Sequence, residues 1–221
     1  MESVRTIMTS VAALVAITGV AAAQTNVTAT NKFSWAENVG WMNWRDAGAP
    51  VGAQGALLQG SFASGFVWME NVGWLNLGDG TPANGVSYAN VNGTDFGVNI
   101  AGDGSLSGFA WGENIGWVNF TLPSLPVADR PRLDLGASRL RGFAWGENIG
   151  WINLSSSEEG KYVGVRCSAD FNNDGQVDFF DYLDFAQAFA VEDPSADFNS
   201  DGQVDFFDFL DFAAAFDTCS A

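Results

Sequence analysis

Two copies of one acidic pattern near the end of the chain contain the residues whose types and spacing indicate metal chemistry. The segments ADFNNDGQVDFFDYLDF and ADFNSDGQVDFFDFLDF begin at Ala169 and Ala196, 27 residues apart, and both contain D-x-N-x-D-G-x-V-D-x-x-D. This spacing places hard oxygen ligands around one point, which is what Ca²⁺ requires. With ligands at positions 1, 3, 5, 7, 9 and 12, and position 7 acting through its backbone carbonyl, the two sets are Asp170, Asn172, Asp174, Gln176, Asp178 and Asp181, and Asp197, Asn199, Asp201, Gln203, Asp205 and Asp208. The sequence therefore predicts two bound calcium ions.

The elements that must position these ligands are also repeated. Gly175 and Gly202 stand at position 6, where such a loop turns sharply, and Val177 and Val204 at position 8 are expected to pair the two loops. An apolar segment rich in Phe, Leu and Ala follows each loop, so a helix is predicted after each loop and none before it.

Four glutamates raise the question of a second chemistry, glycoside hydrolysis. Glu37, Glu70, Glu113 and Glu147 occupy the same position of another repeat. Hydrolysis of a glycosidic bond needs two carboxyl groups in unlike environments, so that one of them keeps its proton. Equivalent positions predict like environments, and turn carboxylates that accept backbone N–H groups are the simpler interpretation. The chain is therefore predicted not to be an enzyme, with a glycoside hydrolase as the alternative.

Composition removes other classes of site and partner. The 221 residues include no histidine, which excludes Ser-His-Asp and Cys-His nucleophilic sites and histidine-ligated metals. The net charge is −17, with nine Lys and Arg against 26 Asp and Glu. Nucleic acid and anionic membrane surfaces are therefore not expected partners, because both are bound through cationic side chains.

A tryptophan repeat fills the first two thirds of the chain. The pattern F-x-W-x-E-N-[VI]-G-W-x-N starts at Phe33, Phe66, Phe109 and Phe143, at intervals of 33, 43 and 34 residues. These segments hold eight of the nine tryptophans, and the ninth, Trp44, directly follows the first segment. Alternation on both sides of an E-N-[VI]-G turn, with Asn and Gly suited to positive φ, predicts a β-hairpin in which the two repeated tryptophans meet.

These tryptophans are predicted to be mostly core residues, because one short repeat cannot bury its own apolar face and must pack on its neighbours. The alternative is a platform on which sugar rings stack. The candidate stacking residues are Trp35, Trp41, Trp68, Trp74, Trp111, Trp117, Trp145 and Trp151.

The predicted fold class is multidomain, with an all-β repeat domain followed by a small all-α calcium-binding domain. Each β unit has about three short antiparallel strands, and a propeller, a barrel and a sandwich all accommodate such units. Residues 161–166 (KYVGVR) match the first strand of an unfinished fifth unit and are expected to pair with residues near 26–30 and close the array. Arg139 and Arg141 are expected on a solvated strand face.

The duplicated loop-helix segment resembles a type I dockerin domain. The matching residues are the two D-x-N-x-D-G-x-V-D-x-x-D loops, each followed by D-[YF]-L-D-F, and the resemblance covers roughly the last 55 residues. It implies folding on binding calcium and docking to a cohesin-type receptor, with loop positions 10 and 11 helping to select the partner. Those positions are Phe179, Phe180, Phe206 and Phe207. Flanking cysteines, here Cys167 and Cys219, are typical of a dockerin variant at the C-termini of exported bacterial proteins.

The ends of the chain indicate its compartment. Arg5, the apolar run 11–23 and the Ala21–Ala23 site predict a cleaved signal peptide over residues 1–23, with an uncleaved anchor as the alternative. In an oxidising compartment Cys167 and Cys219 are expected to form a disulfide.

The predicted organisation is a signal peptide (1–23), a β-repeat domain (24–166) and a dockerin-like domain (167–221), with no membrane span after cleavage. The predicted function is a secreted or cell-surface, non-catalytic protein anchored through calcium-dependent docking. The alternative is a carbohydrate-binding or glycoside-hydrolase component of a polysaccharide-degrading assembly, with polysaccharide as a further partner.

Overall fold

The structure is a computed structural model that describes residues 25–172, 174, 176–199 and 202–219. The predicted signal peptide lies outside these residues. The strands and helices of the described chain are β1 (Val27–Ala36), β2 (Gly40–Asn43), β3 (Leu57–Gln59), β4 (Phe62–Ser64), β5 (Phe66–Met69), β6 (Gly73–Asn76), β7 (Val98–Ile100), β8 (Leu106–Gly112), β9 (Gly116–Asn119), β10 (Arg132–Asp134), β11 (Arg139–Arg141), β12 (Phe143–Gly146), β13 (Gly150–Asn153), β14 (Val163–Val165), α1 (Phe179–Ala190) and α2 (Phe206–Cys219). None of the helices in these ranges combines the length and the hydropathy needed to cross a bilayer.

Eight of the strands close into an antiparallel barrel. Each tryptophan repeat forms one hairpin, and the hairpins follow each other around the barrel in chain order, with β2 beside β5, β6 beside β8, β9 beside β12 and β13 beside β1. The last of these pairings closes the sheet, so no edge is left in it. Of the three architectures compatible with the repeat, the chain therefore adopts the barrel.

The four hairpins are related by a rotation about the barrel axis. Within each hairpin the two repeated tryptophans lie directly opposite each other, as predicted; Trp35 faces Trp41, for example. Between hairpins the first tryptophan of one repeat faces the last asparagine of the repeat before it, and this register is the same at all four junctions. Because the array closes and the register is the same at every junction, neighbouring hairpins are not displaced from each other along the barrel axis. Equivalent residues of the four repeats therefore lie at one height around the barrel.

The interior of the barrel is filled by the variable positions of the repeat. The residues on either side of the first tryptophan and after the second one point inward, and the hydrophobic members of this set are fully buried: Ala36, Met42, Val67, Met69, Leu75, Ala110, Val118, Ala144 and Ile152. Eight strands enclose a space that side chains of this size just fill. Eight indoles do not fit there, so the prediction that most repeated tryptophans form the core is wrong.

Both ends of the barrel are plugged by further repeat positions. Val39, Ile115 and Ile149, from the hairpin turns, are buried at one end. The residue after each repeat is buried as well, namely Trp44, Leu77, Phe120 and Leu154. Trp44 is thus the one tryptophan of the described chain that does lie in the core, and its indole N–H donates to Ser34 Oγ at 2.8 Å.

The turn asparagines connect neighbouring hairpins. Asn71, Asn114 and Asn148 donate their side-chain N–H groups to the carbonyls of Val39, Val72 and Ile115, the apolar turn residues of the repeats before them. The prediction of positive φ is right for glycine alone: the turn glycines have φ between 73° and 92°, whereas none of these asparagines has a positive φ.

The remaining short strands lie outside the eight-stranded barrel. An additional strand precedes the third repeat and another precedes the fourth: β7 pairs with the start of β8, and β10 pairs with β11. β14, within the KYVGVR segment, pairs with the start of β1, so the expected pairing with residues near 26–30 is confirmed. The expectation that this segment closes the array is wrong, because the pairing of β13 with β1 closes the barrel.

The expectation that Arg139 lies on a solvated strand face is wrong. Its side chain is buried, its guanidinium lies 3.9 Å above the Tyr162 ring, and it donates to the Ser156 carbonyl. Arg141 pairs with Asp134, and this hydrogen bond, opposed by burial, holds the pKa of the Asp134 carboxyl below its usual value. Arg139 and Arg141 of β11 therefore bind neighbouring segments of the chain.

The helical tail has a small core with internal symmetry. Phe185 and Phe212, equivalent residues of the two copies, are fully buried and stack with their centroids 4.0 Å apart and their planes 1° from parallel. Phe171 and Phe198, also equivalent, each pack edge-on at 5.6 Å against the stacked ring of their own copy. The sequence duplication thus produces two loop-helix units that share one aromatic centre.

Candidate functional site

The position-12 aspartates are the centres of the two predicted calcium loops. Asp181 and Asp208 are fully buried. Asp181 accepts the backbone N–H of Asn172 at 3.0 Å and of Asp178 at 2.9 Å, so its carboxylate joins positions 3 and 9 of the loop. Asp208 accepts the equivalent N–H of Asn199 at 3.0 Å and of Asp205 at 2.8 Å. Burial raises the pKa of Asp208, but these donors outweigh it and hold the carboxyl below its usual value.

Further side-chain contacts curl each loop. Asn172 Oδ1 accepts the N–H of Asp174, and Asp174 Oδ1 accepts the N–H of Gln176, both at 2.9 Å. In the second loop Gly202 has φ 89° and donates to Asp197 Oδ2 at 3.0 Å. Asp201 and Gly175, which belong to the prediction, lie outside the described residues. Val177 and Val204 pack against the aromatic core of the tail.

The donor set fits a calcium ion in kind. Each loop offers carboxylate, amide and carbonyl oxygens and no softer ligand, which is the set that Ca²⁺ prefers. Within the described residues, however, no three acidic, Cys or His side chains are gathered into a metal-binding group. The tail from Cys167 onward contains 13 acidic residues and no Lys or Arg, so its own sequence supplies no cation for the buried carboxylates.

The position-9 aspartates also start the helices and place the predicted partner-binding residues. Asp178 Oδ1 accepts the N–H of Phe180, and Asp205 Oδ1 accepts that of Phe207, both at 2.8 Å. Asp178 is the N-cap of α1, so positions 10 and 11 open that helix. The four phenylalanines at these positions are all exposed: Phe179, Phe180, Phe206 and Phe207. The expected Cys167–Cys219 disulfide is confirmed.

The repeated tryptophans form an outward-facing band, here called the tryptophan girdle, around the barrel. Seven of the eight have exposed fractions between 38% and 45%, and the eighth, Trp145, is half-buried. The paired indoles lie 4.5–5.0 Å apart in tilted or edge-on contact, and the phenylalanine of each repeat packs on the second tryptophan at 6.0–6.3 Å. These contacts hold each ring in place but leave part of it open to solvent.

The four repeat glutamates lie at the turn end of the girdle. Glu37, Glu70, Glu113 and Glu147 are all exposed and occupy equivalent turns. Their surroundings are therefore alike in this respect, as the repeat predicts. One glutamate backbone is tied directly to the girdle, because the Glu37 N–H donates to the Trp151 carbonyl at 2.9 Å.

One junction of the girdle contains a groove that the sequence did not reveal. Its volume is about 550 Å³, and it lies where β9 meets β12. Trp117, Asn119, Trp145 and Glu147 belong to the repeats, whereas residues 90–93 and Phe96 come from the segment between the second and third repeats. The longer spacing of 43 residues at this interval was the one sign of an added structural element.

Comparison of the chain with protein-family models, with curated proteins and with solved structures finds no match.

Proposed function

We propose that this chain is an exported, non-catalytic binding protein whose tail is a calcium-dependent, dockerin-like module that docks onto a cohesin-type receptor at a scaffold or cell surface. The observation that carries the proposal is the placement of an exposed phenylalanine pair directly after each acidic loop. One segment therefore combines a predicted cation site with an apolar contact surface.

Calcium has a physical role in this arrangement. A buried carboxylate is costly unless it is paired or coordinates a metal. Asp181 and Asp208 are buried acceptors of backbone N–H groups, and the sequence of the tail contains no Lys or Arg to pair with them. Two bound calcium ions would supply the missing positive charge and hold each loop against the helix that follows it.

The docking surface is duplicated. On α1 it comprises Phe179, Phe180 and Leu183, with exposed fractions of 63%, 65% and 46%. The equivalent residues of α2 have nearly the same exposure. Large exposed apolar side chains grouped in this way are typical of protein interaction sites. Bulky aromatic pairs suit a receptor with an apolar groove.

Calcium titration of the mature chain tests the cation sites. We expect calorimetry to give two calcium ions per chain, and chelation to abolish the amide-exchange protection of α1 and α2. Calcium at 100 times its dissociation constant would stabilise the bound tail by about 2.7 kcal/mol per site. Asp170→Ala with Asp197→Ala, which removes position 1 from both loops, should eliminate both sites. The matched control is Asp184→Ala with Asp211→Ala, which removes two exposed aspartates from the same helices. Equal calcium binding by both double variants would refute the loop assignment.

Docking is tested with immobilised chain and a cell-envelope extract from its own source. We expect one receptor to be retained in calcium and released by chelator. Substitution of Phe179, Phe180, Phe206 and Phe207 by Ser should abolish retention. Substitution of either pair alone should weaken it less, because the two faces are equivalent. Retention that survives the fourfold change would place the contact elsewhere.

A second candidate function, polysaccharide binding by the barrel, is favoured by the tryptophan girdle. Indoles that are held by their neighbours but open to solvent are suited to stacking on sugar rings. The equivalent exposure of the four repeat glutamates supports binding rather than glycoside hydrolysis, which needs two carboxyl groups in different environments.

A further inference from the structure

The floor of the groove at the β9–β12 junction is formed by repeat positions that recur at every hairpin junction of the barrel. Asn119 faces Trp145 across the two strands. Trp117 and Glu147, which follow on the same two strands toward their turns, line the same groove. The same four residue types meet at every hairpin junction, because the register is identical at all four. The β2–β5 junction, for example, brings Asn43 opposite Trp68.

What distinguishes this junction is a wall built by the long interval between repeats. Asn90, Asn92 and Phe96 from that segment line the groove. The Phe96 ring packs edge-on against Trp117, with centroids 5.1 Å apart and planes at 85°. Trp117 therefore has three aromatic neighbours, whereas the second tryptophan of the first repeat contacts Phe33 and Trp35.

The wall is held in shape by its own hydrogen bonds. Asn90 Oδ1 accepts the N–H groups of Gly97 and Phe109, which ties the wall to β8. Asp95 accepts the N–H groups of Ala83 and Ala89. Tyr88 is buried beneath the segment and accepts the N–H of Gly80 at 2.8 Å; burial raises its pKa to about 12, so the phenol stays protonated. Because the wall is ordered by the fold, a ligand does not have to order it.

The lining has the chemistry of a site for uncharged polyhydroxy rings. Aromatic faces suit the C–H surfaces of a pyranose, and a few amide and carboxylate groups at their edges suit its hydroxyls. Asn119 uses Oδ1 to accept the N–H of Thr121, and its Nδ2 has no protein acceptor in the described part of the chain. Asn92 and Glu147 are exposed beside the rings.

Charge decides between neutral and anionic ligands. Among the described residues that line the groove, none is Lys or Arg and one is a glutamate. The chain as a whole carries −17. An acidic saccharide would meet repulsion with no compensating cation.

We infer that this groove is the specific oligosaccharide site of the protein: Trp117 and Trp145 stack on a neutral hexose or pentose chain, and the segment 90–96 selects it. The inference rests on the glycan-binding candidate and narrows it to one of four junctions. It is independent of docking by the tail.

Tryptophan fluorescence and calorimetry on the mature, calcium-loaded chain test the site. The probes are cellohexaose, xylohexaose, mannohexaose and laminarihexaose, with an oligogalacturonate as the anionic control. We expect saturable binding of at least one neutral probe and none of the oligogalacturonate. Trp117→Ala with Trp145→Ala should weaken binding at least tenfold. Trp41→Ala with Trp68→Ala, the same change at a junction without the wall, should alter it less than twofold.

Phe96→Ala provides a milder change if the double variant fails to fold, and it should weaken binding at least threefold at an unchanged Tm. Equal losses in the two double variants would overturn the groove but leave glycan binding by the girdle intact. Failure of every neutral probe would overturn both. Tight binding of the oligogalacturonate would overturn the charge argument, and hence the neutral ligand class.

Discussion

Gly142→Ala is expected to destabilise the barrel by about 3 kcal/mol or more, which is a large share of the stability of a chain this size. Gly142 precedes the phenylalanine of the fourth repeat and has φ +82°. A Cβ at this position would lie 2.0 Å from the carbonyl oxygen of Arg130. The substitution therefore combines a left-handed backbone with a clash against main chain that cannot move away without breaking the outer strands.

Two other glycines separate the causes of this effect. Gly85 has φ +74° but open space where a Cβ would lie. Gly85→Ala should therefore destabilise the chain only through its left-handed backbone conformation, by about 1 kcal/mol. Gly102 has neither a positive φ nor a close neighbour, and Gly102→Ala should be neutral or slightly stabilising. Urea unfolding followed by tryptophan fluorescence measures all three. If Gly142→Ala lowered the free energy of unfolding no more than Gly85→Ala does, the close approach of Gly142 to Arg130 would not exist in solution.

Phe212→Ala is expected to unfold both helices of the tail at 25 °C while the barrel stays folded. Phe212 and Phe185 stack at 4.0 Å and are two of only four fully buried hydrophobic residues in the described tail. Removing a buried phenyl ring costs about 3–5 kcal/mol, and a core this small has little stability to lose. Phe185→Ala should have the same effect, because the two rings occupy equivalent places.

Two spectroscopic signals follow the two parts of the chain separately. All nine tryptophans lie at or before Trp151, so indole fluorescence reports the barrel. Amide hydrogen exchange of α1 and α2 reports the tail. Phe180→Ala, which removes an exposed ring from α1, the helix that contains Phe185, is the control and should leave exchange unchanged. Joint loss of barrel and tail in Phe212→Ala would contradict the predicted division of the chain into two domains.

The contrast between the two phenylalanine variants bears on the proposed docking function. Phe180 and Phe212 are the same residue type in one short segment, yet the first is 65% exposed and the second is fully buried. Loss of receptor binding without loss of helix in Phe180 variants would separate a contact role from a folding role. The calcium titration addresses the loops independently of both.

The local structure of this protein follows from its sequence with little ambiguity. Period-two alternation around a turn determines each hairpin, and the contact between Trp35 and Trp41 follows from it. The spacing of Asp and Asn in the tail likewise predicts two twelve-residue loops, and in the structure the twelfth residue, such as Asp181, accepts the N–H groups of positions 3 and 9. These are short-range relations, which a residue pattern alone can specify.

Only the tertiary structure decided which face of each hairpin is inside. Alternation defines two faces but does not say which is buried, and the larger, more apolar side chains suggested the wrong one. Closure into eight strands limits the interior volume, so residues such as Ala110 and Ile152 fill it and the tryptophans remain outside. The groove depends on the same closure, since Phe96 meets Trp117 only because the segment between repeats folds back over the completed barrel.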